Sequence, residues 1–180
     1  GGLVDETDVP APLSERGRRR LEAETAWLDF GRATGKPVMV FRLPGIYGPG
    51  RSAVEDVEAG VARRIVKPGQ VFNRIHVEDI AGALAASMAR PDAGTVYNVT
   101  DDEPAPPQDV VEYASRLLGR PVPPDLPFDT ADLSPMARSF YGESKRVSNA
   151  RLKSRLGYAL RYPTYREGLA AIAARRGTDA

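Results

Sequence analysis

The strongest constraint on the fold lies in residues 37–50, PVMVFRLPGIYGPG. Val38, Met39, Val40, Phe41 and Leu43 form a near-continuous apolar run, the pattern of a strand covered on both faces. The run breaks at Pro44-Gly45 into a loop with three glycines and two prolines. In an open α/β sheet, ligands settle beyond the carboxyl ends of the strands. This stretch therefore predicts a buried sheet and marks where a site would lie.

The segments around it alternate between helix and strand patterns. Residues 1–13 are acidic and proline-bearing and read as an extended surface loop. Ser14 is placed to cap a helix with Glu15 in its first turn, and that helix runs to about Ala33 and stops at Gly35. Leu21, Trp27, Leu28 and Phe30 give it an apolar side. Arg16, Arg18, Arg19 and Arg20 crowd its start, where the helix dipole disfavours cations, and Arg18 can pair with Glu22. Ser52 and Glu55 spell a capping box before a short helix ending at Gly60. Residues 63–66 and 71–77 read as strands joined by a Pro68-Gly69 turn of type II. An alanine-rich helix follows from Glu78, then a short strand at residues 95–99 and a helix over residues 108–118 closed by Gly119. Residues 121–128, with four prolines, read as loop. Helices are expected from Ser134-Pro135, from Ser148 to Gly157, and from the capping box Thr164 to Glu167. This order predicts an α/β fold with a largely parallel sheet.

Composition removes several classes of function. A formal net charge of +1 gives no bulk reason to bind nucleic acid or an anionic membrane. The chain has no cysteine and one histidine, which excludes disulfides, thiolate sites and multi-histidine metal sites. No apolar run approaches the roughly 20 residues of a membrane span, and no signal peptide is visible. The expected partner is a small molecule, in the cytoplasm.

Four motifs carry a family resemblance. Arg42 to Gly50 matches a strand-end pattern R-x-x-x-x-Y-G-P-G, and His76-Val77-Glu78-Asp79-Ile80-Ala81 matches an H-V-D-D-h-A strand-to-helix junction. Gly94-Thr95-Val96-Tyr97-Asn98-Val99 matches G-x-x-Y-N-V, and Leu156-Gly157-Tyr158 with Glu167-Gly168-Leu169 matches a closing L-G-[WY]…E-G-L. Together, in this order and spacing, they resemble the extended short-chain dehydrogenase/reductases, the NAD-dependent epimerase/dehydratase family. The resemblance implies a Rossmann-type parallel sheet with its amino-terminal cofactor half absent, joined to a small α+β substrate subdomain. Residues 14–50 and 76–100 would belong to the sheet layer, and residues 51–75 and 101–180 mainly to the substrate subdomain. It also implies NAD or NADP as cofactor, although this stretch alone is not expected to hold the dinucleotide. Gly45, Gly48 and Gly50 follow a strand, but their spacing is not that of a pyrophosphate-binding loop.

In the family, a Y-G-x-S-K sequence opens the helix before the organising strand. The tyrosine exchanges the substrate proton and the lysine binds the cofactor ribose. Here Arg16 falls on the tyrosine and Arg20 on the lysine. A guanidinium stays protonated at any working pH, so Arg16 cannot shuttle a proton; Arg20 can still donate to a ribose or phosphate. The cluster reads either as a solvated helix start or as a surface facing phosphate. Downstream, Tyr141-Gly142-Glu143-Ser144-Lys145 spells the same motif in the region the family uses for substrate.

By resemblance, Leu43, Pro44, Gly45 and Ile46 would line the nicotinamide, and Tyr47, Arg74, Arg138 and Tyr141 would face the substrate. Relatives that bind nucleotide sugars carry an arginine where this chain has Phe72. His76 is expected to be buried and hydrogen-bonded at a strand end. The implied function is an NAD(P)-dependent epimerase/dehydratase-like oxidoreductase of an atypical subgroup lacking the Tyr/Lys pair, acting on a nucleotide-linked or carbonyl compound. The alternative is an inactive dinucleotide-binding or metabolite-sensing protein on the same scaffold. A further reading makes the arginine-bearing helix a homodimer interface served by Trp27 and Phe30.

Overall fold

A computed structural model describes residues 1–176 of the chain. In chain order its elements are β1 (Leu3–Val4), α1 (Glu15–Thr34), β2 (Val40–Arg42), β3 (Gly45–Tyr47), α2 (Ala53–Glu58), β4 (Arg64–Val66), β5 (Arg74–His76) and α3 (Val77–Ala89). They continue with β6 (Val96–Asn98), α4 (Pro107–Leu117), β7 (Asp125–Pro127), α5 (Pro135–Phe140), β8 (Arg146–Val147), α6 (Ala150–Ser154) and α7 (Tyr165–Arg176).

Local chemistry sets the helix ends. Ser14 Oγ accepts from Gly17 N at 3.1 Å, and Gly35 closes α1 in the left-handed region at φ 67°. Ser52 Oγ accepts from Val54 N, while the Glu55 carboxylate reaches back to Gly50 N at 2.9 Å. At α7, Arg166 N donates to Thr164 Oγ1 and Thr164 N donates to Glu167 Oε2 at 2.9 Å, a reciprocal capping box. The Pro68-Gly69 turn is closed by Gln70 N on Lys67 O at 3.1 Å, with Gly69 at φ 74°, as a type II turn requires.

Every strand pair among the described residues is parallel: β1 with β8, β2 with β6, β3 with β5, and β4 with β7. Five expectations change here. Residues 45–47 are not loop but β3, because their backbone finds β5 as a partner. The proline-rich stretch contains β7, because an edge strand tolerates proline, and Phe128 N still donates to Val66 O. The amino-terminal segment holds β1, which lies along β8 with Leu3 opposite Arg146. The strand β2 is half-buried rather than covered on both faces. The helix expected from Ser148 begins two residues later, after Asn149.

Three clusters form the core. Val54, Val57, Val110, Ala114, Leu169 and Ile172 join α2, α4 and α7 around Tyr47 and Tyr165. Ile75, Ala83, Tyr97, Val99, Leu152 and Leu156 pack α3 and α6 on the β2–β6 sheet. Ile65, Ala131 and Tyr141, with Phe72, Leu126 and Phe128 against them, form the third. A buried carboxylate ties the closing segment to the second cluster. Asp79 accepts from Tyr158 Oη at 2.9 Å, Arg161 N at 2.7 Å and Tyr162 N at 3.0 Å. Helix α1 stands apart: Leu21 and Leu28 are half-buried, whereas Trp27 and Phe30 stay exposed, edge-to-face at 5.9 Å. No helix among the described residues is long and apolar enough to cross a membrane.

Candidate functional site

The carboxyl end of β2 presents an apolar lip. Leu43 is 39% exposed and Ile46 is 38% exposed, with Pro44 half-buried between them. Behind the lip, Arg42 donates to Glu24 through Nε at 3.0 Å and NH2 at 2.6 Å, a bidentate pair that fixes α1 against the strand end. Gly45 N is held by Asn73 O at 3.3 Å. The glycine loop beyond is not a phosphate cradle. Its Gly48 N donates to Arg51 O, and Gly50 N faces the Glu55 carboxylate, whose charge would repel a pyrophosphate. The lip leaves apolar surface open at Leu43 and Ile46, and the loop amides of Gly48 and Gly50 are engaged within the chain.

Arg16 and Arg20 lie on the exposed surface of α1 and make no hydrogen bond or ion pair among the described residues. The ion pair in that turn is Arg19 to Glu15 at 2.5 Å, and Arg18 donates to Leu13 O instead of pairing with Glu22. Tyr47 points inward. It is buried, its hydroxyl donates to Thr164 O at 3.4 Å, and its ring meets His76 edge-to-face at 5.2 Å. Burial, reinforced by Asp101 and Asp79, pushes its ionisation far above the usual tyrosine range. His76 is buried as expected. Its Nδ1 accepts from Glu78 N at 3.2 Å, so a neutral ring carries its proton on Nε2, which has no partner among the described residues. Desolvation lowers its pKa, so the ring stays neutral at neutral pH.

Three of the four expected substrate residues come together around the third core cluster. The Tyr141 ring meets Phe72 edge-to-face at 5.1 Å and Phe128 at 4.9 Å. Two cations sit over Phe128, Lys67 Nζ at 4.9 Å and Arg138 Cζ at 4.8 Å from the ring centre. Lys67 also donates to Tyr141 O, Arg138 to Ala131 O at 2.8 Å, and Arg63 to Asp132 O at 2.7 Å. Arg74 spends its NH1 on Phe72 O at 2.9 Å and Ala105 O at 3.1 Å. Burial raises the Tyr141 pKa while Arg74 and Arg63 oppose it. Tyr141 and Lys145 do not share a helix face: Tyr141 closes α5, the chain then turns, and Lys145 pairs with Glu143 at 3.0 Å.

Sequence reasoning missed Asp101. It lies just past β6 and is 1% exposed. One carboxylate oxygen accepts from Glu103 N at 3.3 Å, and the other has no partner among the described residues. Desolvation pushes its pKa up to about 7, against the attraction of Arg74. The only sequence signal was a run of three acids directly after an apolar strand. No group of residues suited to holding a metal ion occurs among the described residues.

No family model matches the chain. Among curated proteins it is 31% identical over 144 residues to a 3-diazoavenalumate denitrifying reductase of a Streptomyces species, covering 73% of this chain and 45% of that protein. A solved structure of a functionally unknown conserved protein from Silicibacter pomeroyi is 58% identical, with a TM-score of 0.89 over 98% of this chain and 61% of that one. MoeE5 in complex with UDP-glucose and NAD is 27% identical, with a TM-score of 0.76 over 99% of this chain and 61% of that one. The chain spans about half the length of the curated relatives it matches.

Proposed function

For a chain that belongs to the extended short-chain dehydrogenase/reductases, the NAD-dependent epimerase/dehydratase family, we propose an NAD(P)-dependent oxidoreductase role of an atypical kind. The observation that carries it is the exposed apolar lip of Leu43, Pro44 and Ile46 at the carboxyl end of β2. This is where an α/β sheet receives its ligand, and the lip suits the face of a nicotinamide. When bound, NAD(P) supplies or accepts the hydride. The chain's own part is to hold the ring: Arg42 and Glu24 fix the strand end, and Asn73 fixes the backbone of Gly45. On this reading residues 14–50 and 76–100 form the sheet layer, and residues 51–75 and 101–176 the substrate side, with residues 177–180 of the expected range outside the described residues. There Arg74, Arg138 and Tyr141 would face a substrate, with Tyr47 supporting them from the core. Arg20 would serve the cofactor from the surface of α1.

A second reading is favoured by Arg16. The family's proton-shuttling position holds a permanent cation here, and the buried Tyr47 cannot ionise in its place. That supports a protein that binds the dinucleotide without turning over substrate. A homodimer through α1 is supported by the exposed Trp27 and Phe30; sedimentation of a monomer would refute it. The deciding experiment, on the full-length protein, follows NADH and NADPH absorbance with a panel of carbonyl compounds, alongside equilibrium binding of both cofactors. Turnover supports the oxidoreductase, binding without turnover supports the second reading, and absence of binding overturns both.

A further inference from the structure

The substrate side of the molecule carries positive charge that its own carboxylates do not neutralise. Arg63, Lys67 and Arg138 all converge on one surface, and each donates only to a backbone carbonyl. No carboxylate pairs with any of the three among the described residues; the neighbouring Glu143 is engaged by Lys145. A cation usually lowers its energy by finding a counter-charge, and a cluster left without one is an anion site in waiting.

The surroundings of the cluster specify what kind of anion. Lys67 and Arg138 stand over one aromatic ring, Phe128, which is itself half-buried. Phe72 is half-buried beside it, in contact with the Tyr141 ring at 5.1 Å. The Tyr141 hydroxyl makes no hydrogen bond among the described residues, although its ring is buried. Arg74, the deeper arginine, has NH1 committed to two backbone carbonyls and lies in the field of Asp101. A strongly hydrated diphosphate would gain little from apolar walls. An acid group carried on a flat apolar skeleton would gain at both ends: cations for the acid, and the aromatic surface of Phe72, Phe128 and Tyr141 for the skeleton.

We propose that Lys67, Arg138 and Arg63, arrayed around Phe128 and Tyr141, form a subsite for an aryl or similarly flat apolar acid, its anionic group being a carboxylate or a phosphate monoester. The assignment rests on the preceding reading for the identity of this face as the substrate side. Its chemistry does not depend on the cofactor.

The test is an NMR titration without cofactor, following the Phe128 and Tyr141 ring signals and the Lys67 and Arg138 side chains. The probes are benzoate, phenyl phosphate, the neutral benzamide, and UDP. Expected are saturable shifts with benzoate or phenyl phosphate, the tighter of the two telling carboxylate from phosphate monoester, and at least about tenfold weaker binding of benzamide. Lys67→Gln with Arg138→Gln should weaken acid binding about tenfold or more, whereas Lys67→Arg should restore it. Arg138 is exposed, Lys67 is half-buried and neither belongs to a core cluster, so the variants should fold, and unchanged far-UV spectra would show it. Equal binding of benzamide and benzoate, shifts with UDP alone, or no shift with any probe would overturn the proposal. Absence of NADH binding by the full-length protein, with acid binding intact, would refute the cofactor reading and leave this one standing.

Discussion

Replacing Asp101 by asparagine isolates one buried charge and turns it into a measurable pH dependence. The carboxyl is 1% exposed, and burial lifts its pKa from 3.8 to about 7, the opposing pull of Arg74 included. In the unfolded chain the same group titrates near the ordinary carboxylate value. Below about pH 4 both states hold the proton and the residue is neutral to stability. Between about pH 4 and 7 the unfolded chain releases its proton first, so folding loses about 1.4 kcal/mol per pH unit. At pH 8 the accumulated cost is about 4 kcal/mol as an upper value. Asparagine has the same shape, carries no charge and can still accept from Glu103 N. Urea denaturation of both proteins from pH 4 to 8 therefore should show equal stability at the acid end. At pH 8 the variant should be more stable by up to about 4 kcal/mol. A variant that is less stable at pH 8, or a difference that does not change with pH, would refute the reasoning.

Asp79→Ala strips three donors, the Tyr158 hydroxyl and the amides of Arg161 and Tyr162, of one acceptor inside the fold. It should cost about 3 kcal/mol or more by the same denaturation assay, with faster amide exchange at residues 161 and 162; a loss below about 1 kcal/mol would contradict the role given to it. Gly168→Ala should destabilise by about 1–3 kcal/mol although alanine is the better helix former. Its Cβ would strike the Tyr47 ring, which His76 and Thr164 hold in place, and a gain in melting temperature would show that the ring can yield. Ser14→Ala should lower stability by about 1 kcal/mol through the loss of the Gly17 amide's acceptor, read as fraying of the first turn of α1.

What the sequence disclosed was local or period-based. The caps at Ser14, Ser52 and Thr164, the turn at Pro68-Gly69 and the stop at Gly35 depend on neighbours within a few residues, and all appear where expected. Parallel pairing depends on segments far apart. Nothing in Leu3 announces Arg146 as its neighbour, and the prolines in and before β7 disguised a strand whose partner lies some 60 residues earlier. The site shows the same division. The motif at residues 42–50 marked the lip, but the orientation of Tyr47 into the core is set by Gly168 leaving room for it. The meeting of Lys67, Phe128 and Arg138 joins three separate stretches of chain, and only their tertiary packing reveals it. The burial that makes Asp101 unusual comes from elements before and after it, so its side chain looked like one acid among three.

The central claim is that the lip beyond β2 receives the nicotinamide. The most direct measurement is a fluorescence titration of the full-length protein with NADH, compared with its Ile46→Asp variant. Ile46 is partly exposed and packs in neither of the core clusters it adjoins, so the fold should persist. A carboxylate placed against the ring should weaken binding about tenfold or more. Equal affinities in the two proteins would place the cofactor elsewhere and contradict the account.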